Sequence, residues 1–174
     1  MHLPTVLILA MALSLGVTGP ASASAQSEAA PLKADRVVVL KAERRLVLLR
    51  GDRLLRAFRI ALGRYAEGPK LRKGDSKTPE GIYIVDHRIG SRRSKFYRAL
   101  HISYPNTRDR ARAARMGVDP GGQIMIHGLP TNWSAREVGH PTLDWTQGCI
   151  AVTNREMDEI WGMVRDGTTV EIRP

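Results

Sequence analysis

Short apolar runs separated by charged or glycine-containing turns restrict the fold of this chain more than any other feature of its sequence. In the run over residues 54–62, Phe58, Ile60 and Leu62 lie on one face of an extended chain and Arg59 lies on the other. Alternation with a period of two is typical of a strand that is buried on one side. The runs predict strands at residues 37–40, 46–49, 54–62, 82–85, 97–104, 123–126 and 169–172.

Two segments carry helical patterns. Residues 107–116 are rich in Ala and Arg, follow Asn106 as a candidate N-cap and precede Gly117 as a stop signal. Asn154 is a second candidate N-cap, and the apolar residues after it recur at the spacing of one buried helical face. These residues are Met157, Ile160, Trp161 and Val164. The sequence therefore predicts a mainly β fold with two short helices.

The first 25 residues are predicted to be a secretory signal peptide. The apolar core at residues 6–13 is too short to span a membrane, and the small residues at 21–25 suit a cleavage site. The preceding n-region carries His2 but no Lys or Arg, and an uncleaved anchor is the alternative. Residues 26–35 are then a linker, and residues 36–174 are a single domain, because about 150 residues suffice for one core.

Charge and cysteine content restrict the partners of the chain. Lys and Arg number 27 against 17 Asp and Glu, which gives a formal net charge of +10 that attracts polyanions. The sequence contains no nucleic-acid-binding motif, and an exported chain meets anionic envelope polymers and lipid head groups. Its one cysteine cannot form an internal disulfide in an oxidising compartment. Retention of a single thiol there indicates that the protein uses it.

Residues 124–154 contain that cysteine, Cys149, and a histidine, His127, which ends a short apolar run. A thiol becomes a good nucleophile when a neighbouring base takes its proton. The two residues can meet if His127 ends one strand and Cys149 begins the next. The alternative interpretation is a small buried hydrophobic residue, which is a common role for a lone cysteine.

The same segment resembles the signature of the L,D-transpeptidase catalytic domain family (YkuD type). The matching positions are His127, Gly128, Thr146, Gly148, Cys149, Ile150 and Asn154. Two positions depart from the family pattern: Gln147 replaces a second histidine, and Ala151 replaces an arginine that could bind a carboxylate in bidentate fashion. The resemblance extends upstream through the turn at residues 78–81, and it implies that residues 36–174 are a catalytic domain with a β-sandwich or barrel-like sheet.

The resemblance also implies a mechanism. His127 would accept the proton of Cys149, and the thiolate would attack a peptidoglycan tetrapeptide stem between its third residue, an L,D-linked diamino acid, and a terminal D-Ala. The thioester would pass its acyl group to an amine of another stem or of a protein. Gly148 and Cys149 would supply backbone N–H groups to the oxyanion, and the main chain at Gly128 would orient the histidine. No metal or organic cofactor is implied.

The loop from residue 129 to residue 145 is long for a connection between strands, and such loops tend to be functional. Trp133 and Trp145 could form an aromatic wall beside the thiol, with Thr146 and Gln147 completing a substrate-binding set. The alternative for the tryptophans is packing. His140, which precedes Pro141, is interpreted as part of a turn.

Three other functions remain open at this point. One is hydrolysis on the same fold, as an L,D-carboxypeptidase or in the detachment of a wall-linked protein. Another is noncatalytic peptidoglycan binding, with Gln147 and Ala151 as signs of decay. The third is a metallopeptidase, although the histidines lack the helical pairing and the associated Glu of zinc motifs. The expected partners are peptidoglycan stem peptides, together with an acceptor protein or an anionic envelope polymer, and no nucleic acid.

Overall fold

A computed structural model describes residues 32–174, and all structural statements below refer to them. The predicted signal peptide and most of the predicted linker lie outside the described residues. Within residues 32–174, no helix combines the length and the apolar character needed to cross a membrane.

Eight strands form one sheet, which confirms the prediction of a mainly β fold. In chain order they are β1 (Arg36–Leu40), β2 (Arg45–Arg50), β3 (Arg53–Arg59), β4 (Gly81–Ile89), β5 (Ala99–Ile102), β6 (Met125–His127), β7 (Ile150–Ala151) and β8 (Thr169–Arg173). Their order across the sheet is β3-β2-β1-β8-β4-β5-β6-β7. The C-terminal strand β8 therefore lies at the centre, parallel to β1 and antiparallel to β4.

The two edges of this sheet approach each other and make it barrel-like. The predicted third strand stops at Arg59, but the chain continues to Ala61, which forms an antiparallel bridge with Ala151 of β7. The bridge has two hydrogen bonds, from the Ala61 N–H to the Ala151 carbonyl at 3.0 Å and from the Ala151 N–H to the Ala61 carbonyl at 2.8 Å. A second bridge joins Gly63 and Thr146. The bridges satisfy part of the exposed edge that an open sheet would leave.

The core lies between the apolar side chains of the strands and one helix. Alternate residues of β1, β2, β8, β4 and β5 contribute pairs such as Val37 and Val39, and β6 and β7 contribute Ile126 and Ile150. Both Ile126 and Ile150 are completely buried. Packing at this density fixes the strands that carry the motif residues relative to one another.

Three α-helices accompany the sheet: α1 (Thr107–Arg115), α2 (Ala135–Val138) and α3 (Asn154–Met163). The predicted cap of α1 is confirmed, because the Asn106 side chain accepts a hydrogen bond from the Asp109 N–H at 3.0 Å. The sequence prediction missed α2, a single turn within the long loop. The signal for it was present, since Ser134 and Glu137 form a capping box.

Candidate active site

Neighbouring parallel strands bring Cys149 and His127 to the same side of the sheet. In the pairing of β6 with β7, Ile126 lies opposite Ile150 and His127 lies opposite Ala151. Side chains alternate between faces along a strand, so Cys149, two residues before Ala151, shares the face of His127. The 22 residues between them in sequence form a loop that leaves the sheet and returns.

His127 is completely buried, and its ring is held from several directions. Its Nδ1 lies 2.6 Å from the Gly128 carbonyl oxygen, which can only accept a hydrogen bond, so Nδ1 donates and the neutral ring keeps a lone pair on Nε2. Phe96 stacks on the ring with centroids 3.6 Å apart, and Trp145 approaches edge-on at 5.8 Å. Burial lowers the pKa of His127 to about 4 against the opposing effect of the Gly128 carbonyl.

The thiol and the imidazole line one cleft, but no hydrogen bond joins them among the residues that the structure describes. The Cys149 Sγ instead donates to the Gln123 carbonyl oxygen at 3.5 Å, and the buried Nε2 of His127 has no partner within residues 32–174. Burial raises the pKa of Cys149 to about 11, although the Met125 N–H and the positive charge of Lys70 act in the opposite direction. Both groups are therefore neutral at pH 7.

The turn before the cysteine is fixed by Thr146. Its hydroxyl donates to the Cys149 carbonyl at 2.8 Å and accepts from the Gly148 N–H at 3.0 Å. This corrects one prediction, because the Gly148 N–H is already engaged and only the Cys149 N–H of the predicted oxyanion pair remains a candidate. Gly148 has φ of +127°, and a Cβ there would lie 2.6 Å from the Lys77 carbonyl oxygen. Only glycine can adopt this φ without strain and also leave room for the Lys77 carbonyl oxygen.

Asn154 supports the chain after His127 and does not cap α3, so the predicted capping role is wrong. Thr153 is the N-cap and forms a capping box with Glu156. The Asn154 Oδ1 accepts from the Leu129 N–H at 2.8 Å. A Cβ at Gly128 would lie 2.7 Å from this oxygen, which explains a small residue after the histidine. The link fixes the segment whose carbonyl orients His127.

The cleft has a volume of about 1010 Å³ and a basic lining. Trp145, Thr146 and Gln147, which the sequence analysis assigns to substrate binding, line it with Cys149 and His127. Trp133 is 56% exposed and is not among the lining residues, so the structure does not bring the two tryptophans together in one wall. The charged residues of the lining are Arg64, Lys70, Lys73, Lys95 and Asp119.

One wall of the cleft comes from the loop between β3 and β4, which a partly buried carboxylate, that of Asp75, holds in shape. The Asp75 side chain accepts hydrogen bonds from the Lys70 Nζ at 2.7 Å and from the N–H groups of Leu71, Arg72 and Lys77. Lys70 is only 3% exposed. Its ammonium group is thus engaged by Asp75, whereas Arg64, Lys73 and Lys95 reach solvent.

Sequence reasoning missed four contributors to this site. Phe96 follows a basic stretch and carries no motif, so only the folded chain reveals its stack on His127. Gln123 has φ of +58°, and the Gly121-Gly122 pair before it was a signal for an unusual backbone at this point. Lys70 lies in a stretch rich in Gly, Lys and Arg that carries no motif, so only the folded chain shows that this lysine is buried. His140 is buried, and the charge it can carry contributes to lowering the pKa of His127.

Potential metal ligands occur elsewhere in the fold. Within residues 32–174, the one group of three such side chains is Asp86, His87 and His101, and it includes neither His127 nor Cys149. The metallopeptidase alternative therefore gains no support from the cleft that holds the cysteine.

These features define a class of protein, namely one with a mainly β domain that carries a cysteine and a histidine in one basic cleft. The family model of the L,D-transpeptidase catalytic domain (YkuD) matches residues 34–172, and the chain belongs to this family. This confirms the resemblance found in the sequence.

Individual relatives agree with the family assignment. The Escherichia coli (strain K12) protein named "Putative L,D-transpeptidase YafK" is 34% identical over 111 residues, which are 64% of this chain and 37% of that protein. The structure of the helical cell shape determining protein Pgp2 from Campylobacter jejuni has 26% identity and a TM-score of 0.62, covering 80% of this chain and 47% of that one.

A third relative is similar in fold. Bd1075 of Bdellovibrio bacteriovorus has 22% identity and a TM-score of 0.58, with coverage of 82% of this chain and 48% of that chain. This chain therefore spans less than half the length of each of these three relatives.

Proposed function

We propose that this chain is an exported cysteine acyltransferase of the periplasm that acts on peptidoglycan tetrapeptide stems through a thioester at Cys149. The observation that carries the proposal is the placement of Cys149 and His127 on one sheet face and in one cleft, with the His127 ring oriented by the Gly128 carbonyl. Family membership supports peptidoglycan peptides as the class of substrate. Residues 1–25 would direct export.

The first step is activation of a neutral thiol by a neutral imidazole. Because the pKa of Cys149 is raised to about 11 and that of His127 is lowered to about 4, a preformed thiolate is rare at pH 7. Sγ rotates from the Gln123 carbonyl toward Nε2 of His127 when the substrate enters. His127 then takes the proton as sulfur attacks the substrate carbonyl, which is general base catalysis.

Acylation forms a carbon–sulfur bond and breaks a peptide bond. The electrons of the substrate carbonyl move to its oxygen, and the Cys149 N–H stabilises that oxyanion. When the intermediate collapses, the proton held by His127 passes to the departing amine, and D-Ala leaves. The remaining tripeptide is bound to Cys149 as a thioester. An acceptor amine then attacks the thioester carbonyl, and the thiol recovers a proton through His127.

The basic lining suits a substrate that carries carboxylates. Arg64, Lys73 and Lys95 are exposed on the cleft and supply positive charge at its rim. Ala151 is completely buried and cannot provide the bidentate contact of an arginine. We infer that several lysine and arginine contacts distributed along the cleft replace that single contact.

A purified-stem assay tests the proposal. Wild-type protein should release D-Ala from tetrapeptide stems, and the C149A variant should release none above background. Mass spectrometry of the products separates the acceptors, because cross-linked dimers indicate transfer to an amine and tripeptides alone indicate hydrolysis. Unchanged D-Ala release by C149A would contradict the nucleophile assignment.

Noncatalytic peptidoglycan binding is the second candidate. One observation favours it: the Cys149 thiol donates its hydrogen bond to the Gln123 carbonyl and not to His127. A carbapenem distinguishes the two candidates, because an active cysteine opens the β-lactam ring and retains the acyl group as a mass increase on Cys149. A binding protein would keep its unmodified mass while still sedimenting with isolated sacculi.

A further inference from the structure

A histidine–aspartate–histidine cluster lies on the sheet outside the lining of the cleft. One carboxylate oxygen of Asp86, Oδ1, is 2.7 Å from Nδ1 of His101 and 2.9 Å from Nδ1 of His87. The two imidazole rings stack with centroids 4.5 Å apart and an interplanar angle of 21°. Each of the three residues offers a potential ligand atom, and these atoms lie within 4.8 Å of one another.

An irregularity in β4 creates this cluster. Val85 pairs with Ile102 and His87 pairs with His101, so Asp86 is an extra residue on β4 without a partner on β5. A bulge of this kind kinks the strand and redirects its side chains. Asp86 and His87, which would point to opposite faces of a regular strand, can therefore both reach His101. A pattern search along the sequence does not reveal this arrangement.

The atoms of the cluster that lie together are Asp86 Oδ1 and the two Nδ1 atoms. The Asp86 carboxylate only accepts hydrogen bonds, so Nδ1 of His101 donates to it. The His87 Nδ1 lies near the same oxygen without hydrogen-bond geometry, so no hydrogen bond within residues 32–174 fixes the tautomer of His87. His101 is only 7% exposed, and its Nε2 has no partner within the part of the chain that the structure describes. An ion bound by Asp86 Oδ1 and the two Nδ1 atoms would take the place of the Nδ1 proton of His101, and that ring would then carry its proton on Nε2.

We propose that Asp86, His87 and His101 form a binding site for a divalent transition-metal ion of the Zn²⁺ type. Two imidazoles and one carboxylate match the ligand preference of Zn²⁺, whereas Ca²⁺ and Mg²⁺ prefer oxygen ligands throughout. Ligands about 2.1 Å from one ion lie at most about 4.2 Å apart. The cluster needs only a small closing movement, which His87 can provide because its side chain is 55% exposed.

The site would clamp β4 to β5 beside the active-site face. His101 pairs with Met125 of β6, and the register of β6 with β7 places Met125 next to Cys149. Side chains paired across strands share a face, so the cluster lies on the sheet face that carries the thiol. The ion would stabilise the folded state, because an unfolded chain does not hold the three ligands together. The proposal is independent of the acyl-transfer chemistry.

The experiment uses the full chain without an affinity tag and with the substitution C149A, which removes the thiol as a competing ligand. Isothermal titration with ZnCl₂ should give one ion per chain. H87A and D86N in the same background should weaken binding at least tenfold, and H87A is the cleaner variant because His87 is exposed. Zn²⁺ should also raise the melting temperature of C149A by several degrees, and H87A should abolish that increase.

H140N in the same background is the matched control, because it removes an imidazole outside the cluster and should leave the affinity for Zn²⁺ unchanged. The proposal is overturned if C149A binds no Zn²⁺, or if H87A and D86N bind it as tightly as the parent. A loss of binding in H140N equal to that in H87A would also overturn it, because the ion would then bind elsewhere.

Discussion

Burial determines the charge state of the two side chains proposed to react. The ring of His127 is completely buried and Cys149 is partly buried in the cleft, and burial disfavours the charged form of either group. Burial therefore raises the pKa of the Cys149 thiol, which is neutral when protonated. It lowers the pKa of the His127 imidazole, which is charged when protonated. The result is a cleft in which the Cys149 thiol and the His127 imidazole are neutral across the physiological range.

Alkylation of Cys149 by iodoacetamide should report this charge state. Only the thiolate reacts, so the rate should increase about tenfold per pH unit and continue to rise toward pH 11, the value near which the Cys149 thiol titrates. A free cysteine, with a pKa of about 8.5, levels off above pH 9 and is the control. Mass spectrometry of quenched samples measures the rate at a single site, since the chain has one cysteine. A plateau by pH 8 would contradict a raised pKa of the Cys149 thiol.

Two glycines allow a matched test of backbone geometry. G148A should lower the free energy of unfolding by more than about 2 kcal/mol, because φ is +127° and the new Cβ would meet the Lys77 carbonyl oxygen at 2.6 Å. G162A in α3 should be neutral or stabilising by up to about 1 kcal/mol, since nothing lies within 4 Å of its Cβ position and alanine favours helix. Urea unfolding followed by circular dichroism measures both, and equal losses would refute the argument.

At the scale of elements, the start of α3 and the end of β6 are coupled through adjacent residues with different roles. Thr153 caps the helix, whereas Asn154 holds the Leu129 N–H that follows the His127-Gly128 pair. The helix therefore fixes the position of the histidine as well as covering the core. Met157, Ile160 and Met163 are the buried residues of α3 that anchor it.

The pair T153A and N154A separates these roles. T153A should lower the free energy of unfolding by about 1 kcal/mol through loss of the cap, with kcat nearly unchanged. N154A leaves the Leu129 N–H without its acceptor and should lower kcat at least tenfold, because the carbonyl that orients His127 shifts. Thermal unfolding and D-Ala release are the two measurements. Equal effects of both substitutions on kcat would show that Asn154 acts only through the helix.

At the scale of the whole molecule, positive charge is distributed over the surface and continues into the cleft. The formal net charge is +10, and exposed Arg64, Lys73 and Lys95 carry positive charge into the lining of the cleft. A field of this sign favours anionic stems and envelope polymers at low ionic strength. Salt screens it, since the Debye length falls from about 10 Å at 0.1 M to about 3 Å at 1 M.

Ionic strength should therefore affect substrate capture more than chemistry. We expect KM for tetrapeptide stems to rise with NaCl concentration while kcat changes little. K95Q should lower kcat/KM about two- to fivefold, the effect of roughly 0.5–1 kcal/mol from one exposed charge. R53Q, which removes an exposed charge on β3 outside the cleft lining, is the control and should behave as wild type. Equal effects of K95Q and R53Q on kcat/KM would show that the net charge of the protein, and not the position of Lys95 in the cleft, determines substrate capture.

The sequence alone was sufficient for the class of fold and for the residues of the motif. Period-two alternation located the strands, and the spacing of His127 and the Gly148-Cys149 pair identified the family. These properties are local, because each depends on residues close together in the chain. The helix α1 and its Asn106 cap were predictable for the same reason.

The tertiary structure decided which distant segments meet. It placed β8 between β1 and β4, stacked Phe96 on His127, and assigned Asn154 to the chain at Leu129 instead of to a cap. It also turned the thiol toward Gln123 and set the pKa values by burial. Pairing, stacking and desolvation depend on which atoms are close in space, and that proximity comes from packing of the whole core.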